Sequence, residues 1–180
     1  IARVRRAFDN GTHKPSDTMD MYSLLIRDIL DEMKHLTMQH DSASAKKEIS
    51  AHNYLVGAKE YMGLMRATTG RWIEIIGEDD NTHHNLVQIN ALYEEELRKF
   101  QIEASSGLRR AYGEMVSASE IQSTLKEISQ AVTTGKKPYH ITTKMWWSMA
   151  TSVMDGFKDI EDQSLKEIAS KATAGIEELR

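Results

Sequence analysis

Apolar residues recur along this chain every three or four positions, and no alternation of period two persists long enough for a strand. That spacing predicts helices over about 1–10, 18–39, 43–76, 83–115, 118–133 and 143–178. The breakers fall between them. Asn10-Gly11 ends the first helix, and the loop through Pro15 offers Ser16 or Asp17 as N-cap to the second. The second helix then carries Met21, Leu24, Leu25, Ile29, Met33 and Leu36 on one face. Gln39-His40-Asp41-Ser42 reads as a tight turn, Gly77 closes the long third helix, and Glu78-Asp79-Asp80-Asn81-Thr82 caps the fourth. Ser117-Ala118-Ser119-Glu120 has capping-box spacing at the start of the fifth. Gly135 and Pro138 separate it from a last helix capped by Thr142 or Thr143. The expected fold is all-α: a bundle of long antiparallel helices of the four-helix-bundle type, or two such bundles stacked, forming one domain over residues 1–180.

The third helix carries the least ordinary pattern. One stripe, Tyr54, Ala58, Tyr61, Met65, Thr68 and Trp72, has core spacing. The stripe beside it runs Lys59, Gly63, Arg66, Gly70. A glycine inside a helix costs about 1 kcal/mol against alanine, so two flanking an arginine need a reason. Space is the available one: without Cβ atoms, a facing helix or small ligand can come close to the guanidinium. Its planar fork of donors suits a small oxyanion. A surface or interhelical salt bridge, to Glu60 or Glu103, is the other role that fits Arg66.

Composition narrows the classes. With 180 residues, 40% hydrophobic and 28% charged, the chain can bury a real core. It has no cysteine, which excludes disulfides and thiolate metal sites. A net charge of −4 without a basic, aromatic-interleaved stripe gives no case for nucleic acid, and no apolar run reaches bilayer length. The chain opens Ile1-Ala2-Arg3-Val4 with neither initiator methionine nor signal-peptide pattern, so a segment of a longer protein is expected.

A weak internal repeat is also present. Ala7-Phe8-Asp9-Asn10-Gly11 resembles Ala131-Val132-Thr133-Thr134-Gly135, and at the same offset Met21-Tyr22 falls on Met145-Trp146, Leu25 on Met149 and Ile29 on Val153. On that reading the chain enters its first unit late, and two long helices are expected before Ile1.

Other chemistry is thin. Glu32 and His35 have the Glu-x-x-His spacing of carboxylate-bridged iron bundles, but such a site needs a second copy and two further glutamates. Glu48 with His52, and His83-His84 after an acidic loop, read as solvated faces and first-turn residues. No nucleophile–base set and no phosphate loop can be assembled, so neither enzymatic activity nor a cofactor is expected. Trp146 shares an edge with Met149, Val153 and Phe157, and Trp147 with Ala150, Thr151 and Met154. Burying both would require neighbours on two sides; core packing and ligand lining both fit.

Lys59-Glu60-x-x-Gly63-Leu64-x-Arg66-Ala67 resembles the Lys-Glu-x-x-Gly-x-Glu-Arg-Ala signature of the nitrate- and nitrite-sensing (NIT) domain family. Tyr22-x-x-Leu25-Ile26-x-x-Ile29-Leu30, Phe100 with Ala104, and Trp147-x-x-x-Thr151-x-x-Met154-Asp155 are similar to the family's flanking helices. Met65 departs from the glutamate usual there. The resemblance implies an all-helical sensor from a bacterial chemoreceptor or sensor kinase in which arginines bind nitrate or nitrite. Arg66 is the one that carries over, because the partner arginine's motif is missing from this chain. Arg66 is thus the site residue it implies, and Lys59, Gly63 and Gly70, its neighbours on the stripe, are expected to line the same site. A homodimer or one half of a larger two-bundle domain, a membrane-embedded parent protein, and an extracytoplasmic position with a cytoplasmic one as the alternative are also expected. The alternative from another class is a structural, protein-interaction bundle with no small ligand.

Overall fold

The computed structural model describes residues 15–38, 43–75 and 79–177 of the chain. Six helices and no strand occur among them: α1 (Pro15–Met38), α2 (Ala43–Glu74), α3 (Asp80–Glu103), α4 (Ser106–Ser117), α5 (Ser119–Thr134) and α6 (Thr143–Glu177). The expected all-α bundle is what the chain forms. The helix over 1–10, the turn at 39–42 and the Gly77 stop lie outside the described residues. The chain divides into two compact units, Ile1–Gln39 and His40–Arg180.

In the first unit α1 is described from Pro15, ahead of the start at about residue 18 that the spacing predicts. Its expected core face is not a core face. Met21, Leu24, Leu25 and Ile29 are exposed, whereas Leu30 and Thr37 are buried. Among the proposed repeat partners on α6, Val153 is wholly buried where Ile29 is exposed, whereas Met145 is exposed as Met21 is.

The second unit is organised around α2, which packs against α3 and α6, while α4 and α5 pack on α6. Buried positions on α2 step by four and three: Ala51, Leu55, Ala58, Met62, Met65, Thr69 and Trp72. On α6 they are Trp146, Ala150, Val153, Phe157, Ile160 and Ser164. This is the heptad spacing that seats knobs into holes between nearly antiparallel helices. Tyr54 and Tyr61, placed in the seam by the sequence pattern, lie half-buried at its edge, and Lys99 sits over the Tyr54 ring at 5.7 Å. Because α2 is flanked on two sides, its buried residues spread round the helix and it lacks one clean apolar face. Farther along, Tyr93 of α3 meets Phe157 edge-on at 6.2 Å, and Tyr112 of α4 touches Phe100 at 6.0 Å. Each such ring, buried, contributes roughly 1.5–3 kcal/mol.

Three boundaries differ from the pattern-based expectation. The helix expected over about 83–115 is two helices, broken where Ala104 (ψ 148°) and Ser105 (ψ 161°) are extended. Ser105 is the N-cap of α4: its Oγ accepts from Leu108 N at 3.1 Å and donates to Glu167 at 2.9 Å. The Ser-Ser-Gly run at 105–107 was the available signal. Nor does the capping box at Ser117 form. Ser117 Oγ donates back to Gly113 O at 2.7 Å, Glu120 accepts from Ser152 at 2.9 Å, and Ala118 stands at the N-cap without a side-chain bond. Helix α3 begins at Asp80, before the expected residue 83, because Asp79 caps it, accepting from Thr82 N at 3.3 Å. Gly135 ends α5 in the left-handed region (φ 65°), as its place after the helix predicts. The loop beyond it folds back onto α2, where the buried Lys137 ammonium donates to Ile75 O at the helix's C-terminal end, the end that favours a cation.

Candidate functional site

The glycine–arginine stripe of α2 faces α6 in antiparallel register. A Cβ on residue 63 would lie 3.5 Å from the Met154 methyl, and one on residue 70 would lie 3.1 Å from Trp147 Nε1. Between them Arg66 Nη1 donates to Thr151 Oγ1 at 3.2 Å. Gly63, Arg66 and Gly70 therefore match Met154, Thr151 and Trp147 in order. The space that the two glycines leave is taken up by α6 side chains, the facing-helix reason for their presence.

Arg66 is only partly satisfied. Its guanidinium carbon lies 4.7 Å from the centre of the Trp147 ring, a cation–π contact. No carboxylate reaches it among the described residues, so the expected bridges to Glu60 or Glu103 do not form there. Its Nε is buried with no hydrogen-bond partner. A buried polar group without a partner costs about 1–3 kcal/mol, more for a charged one. Nε lies on the Nε/Nη2 edge, the one on which a guanidinium holds a planar oxyanion by two parallel bonds.

The adjoining tryptophans divide the work. Trp146 is wholly buried and its indole N–H donates to Arg66 O at 2.8 Å, clamping the α2 backbone to α6. Trp147, 41% exposed, covers the guanidinium instead of entering the core. Its role at Arg66 is legible only in the fold, since the sequence spacing admitted both lining and packing and favoured packing.

A family model for nitrate and nitrite sensing matches residues 1–169. The chain belongs to the nitrate and nitrite sensing family. It is a sensory domain of a signalling protein. Neither curated proteins nor solved structures match the chain.

The other candidates of this NIT domain are occupied elsewhere. Lys59 is ion-paired with Glu161 of α6, two turns along from Arg66. Glu48 pairs with Lys171, and His52 Nδ1 lies 3.3 Å from Ser164 Oγ. Burial holds the His52 imidazole below its ordinary pKa; Glu161 opposes this, while Lys59 and Lys158 add to it. His83 Nε2 donates to Val132 O at 2.9 Å and stacks on Trp72, while His84 meets Gln88. Glu32 and His35 are both exposed on α1. Among the described residues no three His, Asp or Glu side chains are grouped to hold a metal, and no helix is long and apolar enough to cross a membrane.

Proposed function

We propose that residues 1–180 are the sensory domain of a bacterial chemoreceptor or sensor kinase, and that it detects nitrate or nitrite at Arg66. The observation that carries this reading is the buried, unpartnered Nε of Arg66 between Gly63 and Gly70, in a chain of the nitrate and nitrite sensing family. Both anions are planar, singly charged and weakly hydrated, so a guanidinium fork matches two of their oxygens. Each charge-assisted bond contributes roughly 1.5–3 kcal/mol, and micromolar affinity needs about 8 kcal/mol, so Arg66 requires a further donor. A second copy of the domain supplies it, making the working unit a homodimer. Lys59, held on Glu161, keeps positive charge on the same stripe and orients the seam. The parent protein is membrane-embedded with this segment on its extracytoplasmic face. Binding shifts α2 against α6, because the guanidinium that takes the anion also holds α6 through Thr151 and Trp147; only such differential affinity can bias two packings.

A second reading has its own support. The Thr151 bond and the Trp147 contact are those of an interhelical strut, which suits a structural, protein-interaction bundle without a ligand. Thermal melts of wild type and Arg66→Ala in millimolar nitrate or nitrite separate the two. At a hundredfold excess over Kd the anion adds about 2.7 kcal/mol of stability, some 5–10 °C in a domain of this size, to wild type and nothing to Arg66→Ala. A wild type that does not shift, or an Arg66→Ala that shifts fully, overturns the assignment.

A further inference from the structure

Selectivity at Arg66 is a separate question, because a guanidinium fork alone accepts planar and tetrahedral oxyanions alike. We propose that Trp147 is the specificity-determining residue of the Arg66 site: a flat wall that admits a planar oxyanion and rejects a tetrahedral one. The inference rests on the reading of Arg66 as the anion site.

Three observations support it. The guanidinium carbon stands 4.7 Å from the indole centre, the distance of a face contact, so an anion reaching out from the fork runs along the same indole face. The indole sits close against α2 in the room that Gly70 leaves, with its Nε1 3.1 Å, and its Cε2 3.5 Å, from where a Cβ on residue 70 would stand. Trp146, bonded to Arg66 O at 2.8 Å, fixes the neighbouring turn of α6, so the wall is set by a buried residue although Trp147 itself is 41% exposed. A planar ion in the guanidinium plane passes such a wall. A tetrahedral ion carries oxygens above and below that plane, and on the walled side one of them meets carbon. Gly70 has a stated role here: it brings the indole close enough to act. Packing alone does not require the second tryptophan, because core contact at this end of α6 is made by Trp146.

The test compares nitrate with perchlorate, which share a single charge and weak hydration and differ in shape, by calorimetric titration of the whole chain. The variants are Trp147→Ala and Trp147→Phe. Wild type is expected to bind nitrate roughly tenfold or more tighter than perchlorate. Trp147→Ala narrows that ratio to within about threefold, and Trp147→Phe, which restores a flat ring, recovers most of it. Circular dichroism melts without anion verify that both variants fold, as a half-exposed position allows. If wild type binds nitrate but does not prefer it over perchlorate, or if Trp147→Ala keeps the full preference, the wall is refuted and Arg66 stands. If wild type binds neither nitrate nor nitrite, the Arg66 reading falls and this inference with it.

Discussion

Three glycines of α2 offer an internal test of how closely its neighbours approach. Replacing an interior helical glycine by alanine contributes about 1 kcal/mol through backbone entropy wherever the new methyl has room. The room differs at each site. At Gly63 a Cβ would sit 3.5 Å from the Met154 methyl, an ordinary contact with the end of a flexible side chain. Gly63→Ala is therefore expected to stabilise by about 1 kcal/mol, or roughly 2–4 °C. Gly63→Leu sends its further carbons into the volume of Met154 and overpacks the seam, a cost of about 1–3 kcal/mol that cancels or reverses the gain. At Gly70 the Cβ would stand 3.1 Å from Trp147 Nε1, so the indole must give way slightly; Gly70→Ala should be near neutral and should loosen the Arg66 contact. At Gly57 it would meet Glu96 Oε2 at 2.9 Å with Cγ and Cδ at 3.2 Å, and Glu96 is buried. Displacing three atoms of an enclosed side chain outweighs the entropy term, leaving Gly57→Ala destabilised by about 1 kcal/mol. Urea titrations of the four variants, with m-values compared, give the order directly. The reasoning fails if Gly63→Ala destabilises, if Gly63→Leu matches it, or if Gly57→Ala is the most stable of the set.

Other consequences can be measured alongside. His52 is held below its ordinary value of 6.5 chiefly by burial, so the unfolded chain binds a proton near pH 6.5 that the folded chain refuses. Stability should be full above that pH and fall as pH drops below it, with His52→Gln flattening the slope; parallel urea midpoints for both proteins between pH 7.5 and 5.5 would contradict this. Lys59→Met strands the Glu161 carboxylate, which is only 14% exposed, and should cost about 2 kcal/mol, below the 3–5 of a wholly buried pair. The double variant with Glu161→Leu should recover most of that loss, and an unchanged melt for Lys59→Met alone would count against the pair. Ser105→Ala removes the N-cap of α4 and its bond to Glu167, a loss of about 1–2 kcal/mol, whereas Ser117→Ala caps nothing and should stay within about 0.5 kcal/mol. Equal effects of the two serine changes would reinstate the capping box at Ser117.

Period and punctuation alone determined most of the helices: steps of three and four through α2 and α6, the polar loop at 78–82 before α3, Gly135 after α5 and Thr142 or Thr143 before α6, each set by local backbone chemistry. They determined as well that Gly63, Arg66 and Gly70 share a stripe, since a helix of 3.6 residues per turn aligns them whatever lies opposite. What lies opposite was decided only by tertiary structure. Whether Arg66 meets a glutamate or Thr151 depends on the register of α2 against α6, which is summed over the whole seam from Glu48–Lys171 to Gly70–Trp147. The break at Ser105 belongs to the same class, because Ser105 could have continued a helix and is held as a cap partly by Glu167, 62 residues away. So does the parting of Trp146 from Trp147. Adjacent helical side chains point about 100° apart, and only the placement of α2 beside α6 sends one into the core and the other over the guanidinium.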